Sequence, residues 1–502
     1  MKILWIDDEI DLLKPFIYLL QQEGYDVKTA TSGEDGVTLA SKEVFDLIFL
    51  DEIMPGVDGL EVLRKIKNEN SQQLVVMVTK SEEEDLMKKA YGGWVDDYIT
   101  KPFSFNQLLS VLNRTLKRRV IIGEKMAEEY AGQFRSFIEP VNYDEWTEYY
   151  KALVSWDLRL LEFGSQDLQM IQEERKREAN SGFAKYIESE YQNFIKGKGP
   201  ILSHNLFSHA LFPLLKEGPL HFVIFDSMRL DQFFKLSPYL RDYFEVNTQF
   251  YYSILPTATP YSRNALFSGL LPLEILQKTP QYWTFDAKGQ NRFEKELFGE
   301  QLKRHNLNIK FSYYKLSSIE EIERHVTQVV NDKLDVVIVV INFFDLLLHT
   351  IPGRGDMKGI LDDERVLLNL LGYWFPISPI FEVFKQISKK KRRIVLTTDH
   401  GFIRVRRPAI VYGGRSISPN LRYKYGPALR ADKKTAFLLN NPGEICLPSA
   451  DPSVRFAIAK EDHYFIYPTK PTEYEKEFKF TFQHGGISME EMILPCTIMN
   501  PR

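Results

Sequence analysis

Apolar runs without polar alternation mark the predicted strands in the first part of the chain. The runs KILWI, DLIFL and LVVMV are apolar at nearly every position, as strands buried on both faces are. Amphipathic segments such as DGLEVLRKIKNE lie between these runs. Strands that alternate with helices predict a parallel, doubly wound sheet, and we assign this sheet to residues 1–118.

The pattern changes to helical periodicity over residues 119–205, which we predict to form an all-α middle domain. The segment DEWTEYYKALVSWDLRLLEF carries large apolar side chains at steps of three and four residues. These side chains belong to Trp146, Tyr149, Tyr150, Leu153, Trp156 and Leu160. We interpret this aromatic stripe as core, with the alternative that it passes a signal onward.

Strand and helix patterns alternate again over residues 206–502. The runs HFVIFD, DVVIVVINFFD and RRIVLTTDH are apolar segments that each lead into an aspartate. Nearly 300 residues are enough for one large α/β domain. The chain is therefore predicted to hold a small α/β domain, an all-α domain and a large α/β domain.

Composition narrows the function classes only slightly. The 502 residues are 44% hydrophobic and 26% charged, with a net charge of −4, so nothing global predicts binding to nucleic acid or to an acidic membrane. The two cysteines, Cys446 and Cys496, exclude a disulfide framework. The N-terminal pattern is not that of a signal peptide, and no apolar run is long enough to span a bilayer. We expect a cytoplasmic protein without membrane insertion.

Polar residues follow the predicted strands of the first domain. Because ligands bind beyond the carboxyl ends of parallel strands, these residues are expected to lie together. They are Asp7, Asp8, Asp51, Thr79 and Lys101. Three clustered carboxylates repel one another unless a hard cation such as Mg²⁺ lies between them. Asp51 is then a candidate nucleophile for a phosphoryl group, with Thr79 and Lys101 as candidate contacts to its oxygens.

This arrangement, together with LDEIMPGVDGLEVL and KPF, resembles the receiver domain of two-component response regulators. The resemblance implies a flavodoxin-like fold in which Asp51 is phosphorylated and Asp7, Asp8 and Asp51 hold Mg²⁺. It also implies that Thr79, Tyr98 and Lys101 form the switch and that the Lys101–Pro102 peptide bond is cis. A degenerate receiver that takes no phosphate is the alternative.

A second set of candidate ligands lies in the last 300 residues. Three predicted strands lead into Asp226, Asp345 and Asp399. Asp345 and His349 are four residues apart, a spacing that places both on one face of a helix. Three histidines complete the set: His349, His400 and His484. Carboxylates and imidazoles without thiolates suit Zn²⁺, with Mn²⁺ also possible.

Thr259 is the candidate nucleophile of this region. It stands before Pro260 at the predicted start of a helix, where the positive end of the helix attracts anions. A helix-capping role for Thr259 is the alternative, and Thr257 is a second candidate nucleophile. Three further residues are candidate contacts to phosphate oxygens: Arg229, Arg263 and Asn264.

The set resembles the alkaline phosphatase superfamily, and TTDHG and HGGISMEEMILP resemble its PglZ-type branch. The resemblance implies two zinc ions in this domain. One ion takes Asp345, His349 and His484. The other takes Asp226, Asp399, His400 and the Thr259 oxygen. It further implies a phosphodiesterase that forms a phospho-threonine, which an activated water then hydrolyses.

Residues 404–434 are predicted to form a basic loop. The segment holds nine lysines and arginines and one acid, with three tyrosines interleaved. Such a loop suits an oligonucleotide or a cyclic nucleotide as substrate. The alternative is a solvated surface with structural tyrosines.

The order of receiver, helical and PglZ-type regions resembles PorX-type response regulators. That resemblance implies a sensor histidine kinase, a homodimer formed on phosphorylation, and a link to type IX secretion and gliding. Two other functions stay open. One is a binding module, with a structural metal site, that recruits a secretion component or a sigma factor. The other is a DNA-binding transcription factor, which the absence of a helix-turn-helix pattern disfavours.

Overall fold

In a computed structural model of the chain, the contacts divide the molecule into two compact units. The first comprises residues 1–136 and 162–168, and the second comprises residues 137–161 and 169–502. The structure describes residues 1–70, 73–80, 95–135, 140–163, 166–285, 289, 291–343, 364–414, 418–469 and 471–502.

The first unit contains a parallel sheet of five strands in the order β2-β1-β3-β6-β7. The five strands of this sheet are β1 (Lys2–Ile6), β2 (Asp26–Ala30), β3 (Leu47–Asp51), β6 (Val75–Thr79) and β7 (Asp97–Thr100). A separate pair of two-residue strands is formed by β4 (Ile53–Met54) and β5 (Val57–Asp58). Its helices are α1 (Ile10–Gln22), α2 (Gly33–Lys42), α3 (Gly59–Glu69) and α4 (Phe105–Arg135). Every residue of β3 and β6 is buried, as the apolar runs predict. The doubly wound fold of this region is confirmed.

Helix α4 runs through the predicted end of the receiver. It begins at Phe105 and continues to Arg135, so the predicted boundary between residues 118 and 119 falls within one helix. Two more helices follow, α5 (Tyr143–Phe163) and α6 (Gln166–Ile195), and no strand is described between Phe105 and Gly218. In α5, Trp146, Tyr150 and Trp156 are buried as core residues. The helical character of the middle region is confirmed.

The large sheet of the second unit has six strands in the order β10-β11-β8-β12-β21-β9. The strands are β8 (Leu220–Phe225), β9 (Phe244–Tyr252), β10 (Phe311–Leu316), β11 (Val336–Ile341), β12 (Arg393–Thr397) and β21 (Ile493–Pro501). The first four strands of that order are parallel, whereas β21 is antiparallel to both β12 and β9. Because β21 lies between these two strands, both of its edges are paired.

Helices surround this sheet and bury its apolar strands. They are α7 (Leu230–Arg241), α8 (Thr259–Ser268), α9 (Pro272–Lys278), α10 (Glu294–Arg304), α11 (Ile319–Asn331), α12 (Glu364–Trp374), α13 (Pro379–Lys389), α14 (Pro471–Phe478) and α15 (Met489–Met492). Every residue of β8 and β11 is buried. An α/β core of this kind brings the carboxyl ends of β8, β11 and β12 to one edge.

Short strands form three smaller sheets over residues 403–483. These strands are β13 (Ile403–Arg404), β14 (Arg407–Tyr412), β15 (Tyr423–Pro427), β16 (Arg430–Ala431), β17 (Ala436–Leu439), β18 (Val454–Ala459), β19 (His463–Ile466) and β20 (Phe482–Gln483). The prediction of one basic loop over residues 404–434 is therefore wrong. Burial alternates along residues 409–412 of β14, whereas Tyr423 and Lys424 of β15 are both buried, so basic side chains of this segment lie within strands.

Within the described residues, no single helix has the length and apolar character needed to cross a membrane. One bent pair of helical segments, Glu364–Ile377 and Pro379–Lys389, passes the test of length and composition only when its members are taken together across a 49° bend.

Candidate functional site

In the first unit, three carboxylates converge at the carboxyl end of the sheet. Asp7 and Asp8 follow β1, and Asp51 is the last residue of β3. One oxygen from each of the three lies within 4.8 Å of the others. The Nζ atom of Lys101 is 2.8 Å from Oδ2 of Asp7 and 2.8 Å from Oδ1 of Asp51. The predicted cluster of acids and lysine is therefore assembled.

Charge and burial oppose each other at Asp51. Burial raises the pKa of its carboxyl group, although the hydrogen bond from Lys101 works to lower it. Burial works to lower the pKa of Lys101, but the hydrogen bonds to Asp51 and Asp7 outweigh it and raise that pKa. Three carboxylates lie together and Lys101 pairs with two of them, so the donor set fits a divalent cation that prefers oxygen ligands, as Mg²⁺ does.

Of the predicted switch residues, Lys101 belongs to this cluster and Thr79 bonds to the neighbour of Asp51. The hydroxyl group of Thr79, at the end of β6, donates to the side chain of Glu52. Tyr98 is half-buried and packs against one of the two apolar clusters of the sheet. The Lys101–Pro102 peptide bond is cis, so that prediction is confirmed. Sequence reasoning missed Glu52, although its position directly after Asp51 was a usable signal.

In the second unit, two aspartates meet because their strands are in register. In the parallel pair of β8 and β12, Ile224 lies opposite Thr397. Asp226 and Asp399 each come two residues later, so both reach the same point beyond the sheet. Ligand atoms of Asp226, Asp399 and His400 lie within 4.8 Å of one another.

Thr259 contacts this cluster directly. Its Oγ1 atom is 2.9 Å from Nε2 of His400. Helix α8 begins at Thr259, with Ala258 in the capping position and no side-chain capping bond. The hydroxyl group of Thr259 therefore faces the histidine rather than capping its own helix, and it lies at the positive end of α8.

The tautomer of His400 follows from its second contact. Its Nδ1 atom is 3.0 Å from the carbonyl oxygen of Gly401, and a carbonyl oxygen only accepts hydrogen bonds. Nδ1 therefore donates, and in a neutral ring Nε2 presents its lone pair towards Thr259. Metal-binding histidines are usually held by such a bond from the other ring nitrogen.

His484 joins the site from the end of the chain. Its ring stacks on that of His400, with centroids 4.3 Å apart and 16° between the planes. His484 is exposed, yet the desolvation of its ring against neighbouring groups and the nearby His400 lower its pKa, which favours the neutral form that binds a metal. Asp345 and His349, the other predicted ligands of the same metal, lie outside the described residues.

Arg263 bridges the two aspartates of the cluster. Its guanidinium group forms an ion pair with Asp226, and both Nε and Nη2 lie 3.0 Å from Oδ2 of Asp399. Nη1 is 3.6 Å from Glu294. Burial alone would raise the pKa of Asp226, but Arg263, aided by His400, lowers it to about 2. Arg263 therefore compensates the charge of the ligand carboxylates inside the protein.

The other two predicted phosphate contacts have partners elsewhere. Arg229 is buried, forms ion pairs with Asp231 and Glu364, and has its guanidinium carbon 5.1 Å from the centre of the Phe402 ring. The Nδ2 atom of Asn264 donates to the carbonyl oxygen of Pro260 within α8. These contacts give no support to a phosphate-binding role for Arg229 or Asn264, which stays a prediction.

A tight turn after β8 holds the aspartates together, and sequence reasoning missed it. Ser227 has a φ of 60°, in the left-handed region that few residues other than glycine adopt. The backbone N–H of Ser227 points at Oδ1 of Asp399 at 3.4 Å, and that of Met228 donates to Oγ1 of Thr398 at 2.9 Å. The serine itself carried no sequence signal for this conformation.

Several basic residues of the 404–434 segment are held in ion pairs. Arg422 is fully buried and pairs with Glu491, and Arg407 pairs with Glu461 and Asp462. The ring of Tyr423 packs edge-on against Tyr261 of α8, with centroids 5.7 Å apart. Arg415, part of the predicted basic loop, lies outside the described residues. Composition alone does not distinguish paired from free cations, so the loop prediction failed here.

The donor set of the described residues fits zinc. Two carboxylates, an imidazole of fixed tautomer and a threonine hydroxyl converge without a thiolate, and nitrogen and oxygen donors of this kind hold catalytic zinc. This set corresponds to one of the two predicted zinc sites. Of the other set, only His484 is described.

Comparison with protein families assigns all three regions. The model of the response regulator receiver domain matches residues 3–113, and that of the PorX response regulator linker domain matches residues 120–195. The model of the BREX system PglZ alkaline phosphatase-like domain matches residues 206–499, more than half of the chain. The chain thus belongs to the PglZ alkaline phosphatase-like family and, with the receiver and linker before that domain, is a response regulator of the PorX type.

Curated response regulators match about a quarter of the chain. The response regulator ArlR of Staphylococcus aureus, in strains Mu50 and MW2, is 36% identical over 119 residues, which are 24% of this chain and 53% of ArlR. The chain thus spans about half the length of these curated relatives.

Solved structures match the same region. A CheY-like receiver domain protein from Methanospirillum hungatei is 27% identical with a TM-score of 0.23, over 24% of this chain and 98% of that one. The response regulator TrrA from Thermotoga maritima is 31% identical with a TM-score of 0.21, over 23% of this chain and 98% of that one.

Proposed function

We propose that this response regulator is a zinc-dependent phosphodiesterase whose output is controlled by phosphorylation of Asp51. The observation that carries the proposal is the 2.9 Å contact between Oγ1 of Thr259 and Nε2 of His400, beside Asp226 and Asp399. A hydroxyl at the positive end of a helix, next to two carboxylates and an imidazole, is an arrangement suited to phosphoryl transfer.

Asp226, Asp399, His400 and the Thr259 oxygen would hold one zinc ion, and Asp345, His349 and His484 would hold the second. Bound there, zinc would lower the pKa of the attacking hydroxyl and of a water, and would neutralise charge on the phosphoryl oxygens. Arg263 offsets the negative charge of the two aspartates, so an anionic diester can approach them.

The reaction that suits these residues has two steps. The Thr259 hydroxyl gives up its proton to solvent, Oγ1 forms a bond to phosphorus, the bond from phosphorus to the leaving alkoxide breaks, and the alkoxide takes a proton from solvent. A water molecule then gives up a proton as its oxygen attacks the phospho-threonine, and Oγ1 of Thr259 leaves and takes up a proton. The dipole of α8 favours the negative charge that develops at Oγ1 in both steps.

For the receiver we propose that Asp51 takes a phosphoryl group from a sensor histidine kinase. Its carboxylate lies among Asp7, Asp8 and Lys101, where Mg²⁺ would hold the incoming group and Lys101 would donate to a phosphoryl oxygen. The hydroxyl group of Thr79 would leave Glu52 to contact the same group. Dimerisation on phosphorylation stays a prediction, as does a location in the cytoplasm.

The structure of the basic segment bears on the substrate class. An oligonucleotide or a cyclic nucleotide stays a prediction, since Arg407 and Arg422 of the basic segment already have carboxylate partners. A role in type IX secretion, with a secretion component or a sigma factor as partner, also stays a prediction drawn from the PorX-type resemblance.

The test measures zinc content and hydrolysis of bis(p-nitrophenyl) phosphate by the full chain. Thr259→Ala keeps Asp226, Asp399 and His400, so it is expected to retain zinc. It is expected to lose about a thousandfold or more in kcat, because the nucleophile is gone. Thr257→Ala tests the second candidate nucleophile and is expected to lose less activity than Thr259→Ala, since the Thr257 hydroxyl donates to the Gly486 carbonyl at 2.7 Å rather than contacting His400. Full activity of Thr259→Ala would falsify the assignment of the nucleophile.

The same variants separate the enzyme from a binding module. If the metal site is only structural, Thr259→Ala leaves signalling unchanged while Asp51→Ala abolishes it. If catalysis is the output, both variants abolish it. A beryllofluoride mimic on Asp51 that changes kcat would connect the two activities, and a gel shift with promoter DNA checks the transcription-factor alternative.

A further inference from the structure

Helix α6 of the linker region presents a buried face to the hydrolase region. Residues 169–195 of α6 belong to the same compact unit as residues 206–499. Asn180, Phe183, Ile187 and Tyr191 are all buried, and their spacing of three, four and four residues places them on one face. Two of them, Asn180 and Tyr191, make polar contacts with segments of the metal site.

Asn180 uses both ends of its amide group. Its Nδ2 atom donates to Oε2 of Glu490 at 2.9 Å, and its Oδ1 atom accepts from the backbone N–H of Met489 at 2.9 Å. Both bonds are buried, and together they fix the orientation of the amide. Asn180 therefore holds the start of the short helix α15.

Helix α15 in turn holds the two segments that carry His400 and His484. The carbonyl oxygen of Glu491 accepts from the N–H of Gly401 at 3.2 Å. Oε1 of Glu491 accepts from the N–H of Gly486 at 2.8 Å. A Cβ atom on Gly401 would lie 1.9 Å from the carbonyl oxygen of Glu490, so the fit is close. Any shift of α15 moves both histidine segments.

Tyr191 contacts the segment that carries the nucleophile. Its hydroxyl oxygen accepts from the backbone N–H of Leu255 at 2.7 Å, four residues before Thr259. Leu255 and Ala258 are buried, so this loop has few ways to adjust if that bond is lost. Within three turns, α6 therefore contacts α15, which holds the two histidine segments, and the loop that leads to Thr259.

We propose that Asn180 and Tyr191 are positioning residues of the hydrolase site and that α6 completes its support. The proposal rests on the assignment of Thr259 and His400 to that site. Asn180 sets the position of α15, and through it the distance between the segments of His400 and His484. Tyr191 sets the loop that leads to Thr259. The region matched as a linker is thus part of the catalytic scaffold, although it supplies no group that touches the substrate.

The test is a pair of substitutions on Asn180 and Glu490 with a built-in rescue. Asn180→Asp keeps the acceptor for Met489 but places an oxygen against the Glu490 carboxylate. It is expected to lower kcat and zinc affinity by about tenfold each with little change in KM. Adding Glu490→Gln puts an amide donor opposite that oxygen and is expected to recover both values to within about threefold.

Tyr191→Phe removes only the hydroxyl and keeps the buried ring. It is expected to lower kcat by about three- to tenfold and to leave zinc affinity unchanged, because it acts on the threonine loop. The matched controls on the same helix are Tyr186→Phe, a half-buried tyrosine, and Asn193→Ala, which bonds to Glu190 at the surface. Both controls are expected to match the wild type.

Zinc affinity is measured by competition with a chromogenic chelator, and kcat and KM with bis(p-nitrophenyl) phosphate. The proposal is wrong if Asn180→Asp has the same kcat and zinc affinity as the control Asn193→Ala. It is also wrong if adding Glu490→Gln restores neither value. A wild-type protein that binds zinc but leaves the diester intact defeats the proposed activity alone. The zinc affinities of Asn180→Asp and of its double variant then still decide the positioning role of Asn180.

Discussion

The receiver and the hydrolase region solve the same electrostatic problem with different cations. In each, aspartates gather beyond the carboxyl ends of parallel strands, and one basic side chain bridges two of them. Lys101 bridges Asp7 and Asp51, whereas Arg263 bridges Asp226 and Asp399. In both clusters the aspartates outnumber the basic side chain that bridges them.

The difference lies in how firmly the cation is held. The side chain of Lys101 is 15% exposed and is a single point charge on a flexible stem. Arg263 is 1% exposed, uses several of its nitrogens, and is anchored by Glu294 as well. Lys101 can follow a phosphoryl group that comes and goes, whereas Arg263 maintains a permanent site. The comparison suggests that reversibility depends on which cation bridges the acids.

The largest expected effect is a difference in how much stability is lost when Arg263 or Lys101 is replaced. In zinc-free protein, Arg263→Met is expected to lower the free energy of unfolding of the second unit by about 3–5 kcal/mol, because it leaves buried carboxylates unpaired. Lys101→Met is expected to cost the first unit about 1–2 kcal/mol, since its cluster reaches water. Urea unfolding with native-state hydrogen exchange of β3 and β12 measures the two separately. Equal losses would contradict the contrast.

Opposite responses to pH are the next expected effect. The pKa of Asp226 is lowered to about 2 from an ordinary value near 3.8, so its ionised form stabilises the fold above about pH 4. That contribution, about 2 kcal/mol, is lost as pH falls from about 4 towards 2. The pKa of Asp51 is raised, so the receiver loses stability as pH rises through the range above 3.8.

The measurement is the pH dependence of unfolding in zinc-free and magnesium-free protein. Asp226→Asn is expected to flatten the acid limb of the second unit, and Asp51→Asn to flatten the decline of the first unit at rising pH. The same sign of slope in both units would show that the two acids are not held in opposite ways.

The smallest expected effect comes from replacing a threonine in each unit, Thr257 in the second and Thr79 in the first, by valine. Thr257 donates to the carbonyl oxygen of Gly486 and accepts from the N–H of Gly485 at 3.2 Å, all of them buried. Thr257→Val is expected to cost about 2 kcal/mol, because it leaves two buried backbone groups unpaired. Thr79→Val loses a bond to the half-buried Glu52 and is expected to cost about 0.5–1 kcal/mol. Thermal unfolding of each unit checks the order, and a reversed order would mean that the switch is the more rigid site.

Much of both sites follows from strand ends. Buried parallel strands are apolar throughout, so the first acid after each run marks the sheet edge where ligands bind. This reasoning placed Asp7, Asp51, Asp226 and Asp399 in clusters that the structure assembles. It predicted the three fold classes for the same reason, since strand and helix periodicities differ.

Contacts that depend on tertiary geometry could not be predicted in this way. Arg263 is one helical turn after Thr259, and only the placement of α8 in the apolar core of this unit turns it towards the aspartates. Ser227 acts through its backbone conformation, and Glu491 acts through hydrogen bonds to Gly401 and Gly486 that only the tertiary fold brings about. The prediction of a basic loop over residues 404–434 was wrong for a related reason, because a sequence does not distinguish paired from solvated cations.

The position of β21 has a consequence for the order of events during translation. This strand lies between β12 and β9, yet it comes from residues 493–501, far behind its neighbours in the chain. The receiver can fold as soon as its own residues leave the ribosome. The hydrolase sheet stays open until residues 493–501 have been synthesised, and the segment with His484 emerges only shortly before. A nascent chain therefore carries a finished switch well before it carries a finished hydrolase.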